Sequence, residues 1–99
     1  MPRHRWTEAD HRFALKTYLD ELEGHTSIGR ANVVETIRKK VTRPGEGDLT
    51  ASISMLLGHM SYILQNHGLR YWDTFTPLPK EPGTLEDRVA AYLEDNDYN

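Results

Sequence analysis

The sequence predicts a mostly α fold: a three-helix core of helix-turn-helix type, a short strand or wing, and a closing C-terminal helix. Three observations predict it. Apolar residues recur at helical spacing in four separate windows. Strong breakers separate those windows, namely Gly24, the run "RPGEGD" and three prolines at 77, 79 and 82. A chain of 99 residues has room for one hydrophobic core and not for two, so residues 1–99 are expected to form a single domain.

The first helix is expected near residues 7–23. In "TEAD", Thr7 offers an N-cap hydroxyl with an acid three residues on. Ala14, Leu15, Tyr18, Leu19 and Leu22 then share one face, and Gly24 stops the helix. Trp6 and Phe13 lie opposite that face, so the wing or the last helix is expected to cover them. The second helix, near 29–42, turns Val33, Val34, Ile37 and Val41 inward and Asn32, Lys39 and Arg43 outward. The third, near 50–67, carries the stripe Ile53, Leu56, Leu57, Met60, Ile63 and Leu64, with His67-Gly68 as its stop. Residues 69–82 read as an extended wing in which "YWDTFT" forms a short strand. Thr84 is expected to cap a last helix, near 84–95, with Leu85, Val89, Tyr92 and Leu93 inward.

Composition narrows the function classes. Hydrophobic residues make up 37% and charged residues 27%, which suits a modest core without a deep substrate cavity. No window approaches the 18 or so apolar residues of a membrane span, and "MPRHRWTEAD" has no apolar signal region. With no cysteine there is neither a disulfide framework nor thiolate chemistry, and a cytoplasmic protein is expected. Net charge is −3, unevenly spread: residues 1–45 hold nine Lys/Arg against six Asp/Glu, and residues 46–99 hold three against nine. A basic working end and an acidic tail follow.

No catalytic or cofactor signature emerges. His4, His11, His25, His59 and His67 show no metal-ligand spacing, and His11 reads as a hydrogen-bonded core residue. His67 at a helix C-terminus suits the dipole there. Ser52, Ser54 and Ser61 are helical, with no motif that would make one a nucleophile. The pairs Asp20-Glu21 and Glu86-Asp87 read as solvated helix positions. No enzyme, metal or cofactor is expected.

The third helix poses the main question. Its second face carries Ser54, Met55, Gly58, His59, Tyr62, Gln65 and Asn66, and no charge at all, where a solvated face usually bears Lys or Glu. Beside it, Arg30, Arg38, Lys39, Lys40 and Arg43 concentrate on the second helix and its exit. Basic runs are often merely solvated. Here they also fit phosphate contacts flanking a reading helix, in which Ser54, His59, Tyr62 and Gln65 address base edges and Gly58 gives clearance. Met55, Gly58 and Tyr62 suit a protein interface equally.

The order of these signals resembles a known module. "RWTEADHRFALKTYLDEL" and "ASISMLLGHMSYILQNHGLRYWDTFTPLPK" resemble the amino-terminal helical, winged-helix-like domain of prokaryotic restriction and HNH-type endonucleases. The resemblance spans roughly residues 5–95, with Ser52-Ile53, "HMSYIL" and "HGLRYWDTFTPLPK" at the signature positions. It implies a duplex-DNA-binding module, in some relatives a sensor of modified DNA, within restriction or phage defence. The chain departs from it at Asp48 or Leu49, where relatives tend to carry Arg, at Leu56 in place of Lys, and at His59 in place of Asn. The leading expectation is thus a non-enzymatic binder of double-stranded DNA. The alternative, favoured by net acidity and the missing basic positions, is a protein-interaction or dimerisation module using the same face.

Overall fold

In the computed structural model, which describes residues 5–24 and 28–96, four helices enclose one core: α1 Glu8–Leu22, α2 Gly29–Val41, α3 Thr50–Asn66 and α4 Thr84–Asp95. The fold is mostly α, as the apolar spacing predicts. α1 packs on α2, α3 and α4, while α3 touches all three of the others or their flanks through its buried stripe. Ala14, Tyr18, Val33, Ile37, Ile53, Leu57, Met60 and Leu64 are all fully buried.

Local chemistry sets the helix ends. Thr7 and Asp10 form a complete capping box at α1: the Asp10 amide donates to Thr7 Oγ1 (3.1 Å) and the Thr7 amide donates to Asp10 Oδ2 (3.2 Å). α3 ends in a Schellman motif, with Gly68 at φ +71°, its amide on the Gln65 carbonyl (3.0 Å) and the Leu69 amide on that of Leu64 (2.9 Å). Two expectations need correction here. Thr84 is the first residue of α4, and the cap position is Gly83, with no side-chain hydrogen bond. Glu21 is not an idle solvated acid: its carboxylate accepts from the amides of Ile28 (3.1 Å) and Gly29 (3.2 Å) and so caps α2 from the end of α1.

The expected strand does not form; the described residues contain none. Residues 69–82, the strap, instead run as extended backbone and turns over α3. A strand needs a ladder, and several of the strap's donors are committed elsewhere. The Trp72 amide donates to the Tyr18 hydroxyl (2.6 Å), the Phe75 amide to the Trp72 carbonyl (3.1 Å) and the Leu78 amide to the Gly58 carbonyl (3.0 Å). Pro77, Pro79 and Pro82 have no N–H to give. Phe75 is buried and meets Tyr18 and Trp72 at ring-centroid distances of 6.2 and 5.1 Å.

A closed polar circuit ties the strap to the core. The Tyr18 hydroxyl accepts from the Trp72 amide and donates to Ser61 Oγ (2.7 Å), which donates to the Trp72 carbonyl (3.3 Å). Each proton has one acceptor. Both side chains are fully buried, so unmade bonds there would be expensive. Burial raises the Tyr18 pKa, opposed by these same hydrogen bonds.

Candidate functional site

The chain's own strap covers the middle of the predicted reading face of α3, at Gly58 and His59. Gly58 is buried, and a Cβ built on it would lie 3.1 Å from the Thr76 carbonyl oxygen and 3.2 Å from Leu78 Cβ. The clearance that glycine provides therefore admits the strap backbone, not an external ligand. This corrects the role expected of Gly58. His59 Nδ1 sits 3.0 Å from the Leu78 carbonyl, which can only accept, so Nδ1 carries the proton. Gln65 Nε2 donates to the Tyr71 hydroxyl at 3.4 Å. At Gly58, and at Ser61 beside it, the absence of charge has a physical cause: Lys or Glu there would be buried under the strap unpaired.

The remaining predicted residues lie around the strap's edge. Met55 is 55% exposed, and Ser54 and Tyr62 are half-buried. Leu78 is 39% exposed; it and Met55 are the exposed large hydrophobics among the described residues. Both line one shallow hollow of about 320 Å³, with Ser54, Gly58, Phe75 and Arg30. On its other side Met55 borders a wider groove of about 740 Å³. Its walls are Trp6 and His11 from the start of α1, Ser52, Leu56 and His59 from α3, and residues 80–85.

The five basic residues do not share one patch. The Arg30 guanidinium stands 4.9 Å from the Phe75 ring centroid, beside the hollow. Arg38, two turns further along α2, makes a two-point pair with Glu35 in a depression that also holds Glu46 and Asp48. Lys40 lies 5.8 Å over the Phe13 ring, so α2 covers part of Phe13. Arg43 donates to Asp10 at 2.8 Å. Lys39 is exposed. Glu35 holds Arg38's charge and Asp10 holds Arg43's, which leaves less net positive potential than the sequence count suggests.

Histidines serve structure here. His11 is buried against Trp6 in a stacked arrangement (5.5 Å) and its Nδ1 accepts from Arg88 Nη1 at 3.0 Å. His67 Nε2 lies 3.7 Å from a carboxylate oxygen of Glu86, so this acid too has a neighbour. His4 and His25 lie outside the described residues. Among those described, no three His, Cys, Asp or Glu side chains come together as metal ligands, and no helix is long and apolar enough to cross a membrane.

Searches among known protein families, curated proteins and solved structures return no match to this chain. Sequence reasoning did not single out the groove. Leu56 and Leu85 belong to apolar stripes, Pro82 to the connection and Trp6 to the face opposite the α1 stripe, and only the chain's path brings Trp6, Pro82 and Leu85 beside Met55. A faint signal existed in Met55 itself, a large apolar residue off the apolar stripe.

Proposed function

We propose that this chain is a non-enzymatic protein-interaction module that offers the Met55 end of α3 to a partner. One observation carries the reading: Met55 and Leu78 converge at one edge of α3, between a hollow and a groove, on a helix face without charge. Met and aromatic residues beside concave apolar walls are the composition of an interface centre. The duplex-DNA reading is the weaker of the two. The strap covers the middle of its reading face at Gly58 and His59, and Arg38 and Arg43 already face carboxylates. Asp48 also accepts from the Thr50 amide (2.9 Å) at the start of α3, which puts negative charge where a phosphate would approach.

Peptides selected against the folded chain from a random displayed library test this. They are expected to shift amide resonances of residues 52–59 and 78–85 and to lose binding to Met55→Lys. Selected peptides that map elsewhere and ignore that substitution would refute it. Steeply salt-dependent duplex binding that shifts Arg30, Arg38, Lys39, Lys40 and Arg43 would restore the DNA reading.

A further inference from the structure

The wall residues of the groove raise a narrower question than whether a partner exists: what shape and charge it must have. Resting on the interaction reading above, we infer that the occupant of this face is a second copy of the chain, related by a two-fold axis. A two-fold interface joins identical patches, so one face must contain both a projection and a recess that receives it. This face does. Met55, 55% exposed, projects from α3 and borders the groove of about 740 Å³ lined by Trp6, Leu56 and Leu85. An unbranched, polarisable thioether adapts well to an aromatic-walled recess.

Charge points the same way. α3 from Thr50 to Asn66 bears no Lys, Arg, Asp or Glu. The groove adds one of each sign, Lys80 and Glu81, adjacent on its rim and both exposed. Two copies of a chain with net charge −3 can therefore meet here without facing like charge across the centre. Arg30 lines the hollow on the other side of Met55, so the wider surface carries Arg30, Lys80 and Glu81, a field too weak to select a strongly acidic or basic partner. In the two-fold arrangement the Met55 methyl of each copy enters the other's groove and touches its Trp6 indole.

Sedimentation equilibrium on the full chain, taken up to about millimolar concentration, tests the assembly. The wild type is expected to show a reversible monomer–dimer equilibrium. Met55→Glu, on the projection, and Ser52→Glu, on the groove wall, should each weaken it about tenfold or more, while Met55→Leu keeps it. Both altered positions are exposed, so thermal unfolding should match the wild type. In a mixture of methyl-labelled and unlabelled chains, isotope-filtered spectra should show contacts from the Met55 methyl to Trp6 of the other copy. A wild type that stays monomeric throughout overturns the second copy as occupant and leaves the peptide selection to judge the wider reading. A dimer that is indifferent to both glutamates overturns the assignment of the face and counts against the interaction reading as well.

Discussion

Gly58→Ala is the most informative single substitution, because two opposing effects of known size meet at one atom. In an exposed helix interior, alanine is favoured over glycine by about 1 kcal/mol. At Gly58 the new Cβ would stand 3.1 Å from the Thr76 carbonyl oxygen and 3.2 Å from Leu78 Cβ, both too close for comfort. Relief requires the strap to retreat by a few tenths of an ångström. The strap is pinned on both sides of the contact, by the Leu78 amide on the Gly58 carbonyl (3.0 Å) and by His59 Nδ1 at the Leu78 carbonyl (3.0 Å). Weakening those two bonds costs roughly 1–2 kcal/mol at about 1 kcal/mol each, and residual overpacking adds about 1 kcal/mol. The clash wins. Gly58→Ala should lower the unfolding free energy by about 1–2 kcal/mol, or the melting temperature by roughly 4–16 °C. Urea denaturation measures the first, and hydrogen exchange at the Leu78 amide should accelerate in step. A variant more stable than the wild type, with Leu78 exchange unchanged, would show that the strap does not rest on Gly58 as described.

Three further outcomes follow from the packing. Tyr18→Phe strands the Trp72 amide and leaves Ser61 Oγ without its incoming donor; it should cost about 2–3 kcal/mol in urea unfolding, and a loss below about 0.5 kcal/mol would refute the circuit. Glu21→Ala removes the carboxylate that caps α2 and should cost about 1–2 kcal/mol, with amide exchange fastest in the first turn of α2. Burial alone would raise the Asp10 pKa, but the Arg43 hydrogen bond and charge, with the Thr7 amide, hold it below the model-peptide value of 3.8. A carboxyl whose folded pKa is depressed contributes stability above its unfolded pKa and loses it as pH falls through the folded one. The wild type should therefore lose stability relative to Asp10→Asn as pH drops below about 4, the two curves converging in acid; a gap constant with pH would refute it.

Much of the fold was legible in the sequence because helices are local. The stripes of α2 and α3 bury the four and six residues that the 3.6 period picks out, and the Thr7–Asp10 box closes within four residues. The strap was misread for the converse reason. "YWDTFT" has strand propensity, but propensity describes only how a segment fits a pleated surface, and no partner strand is present among the described residues to supply one. Glu21 looked solvated because its two acceptors' donors, the amides of Ile28 and Gly29, lie across a turn that periodicity does not describe.

By itself the sequence determined which residues are helical, which faces go inward and that α3 keeps a second face free of charge. These follow from spacing, capping chemistry and the cost of burying ions, all of which act within a few residues. Only the tertiary structure decided what that second face meets. The Tyr18 hydroxyl reaches across 54 positions to the Trp72 amide and lays the strap over Gly58, His59 and Ser61. That contact leaves Met55 exposed at the edge and closes a groove between residues as distant as Trp6 and Leu85. Long-range hydrogen bonds and shape complementarity choose their partners only once the chain is folded, so no local pattern could have announced them.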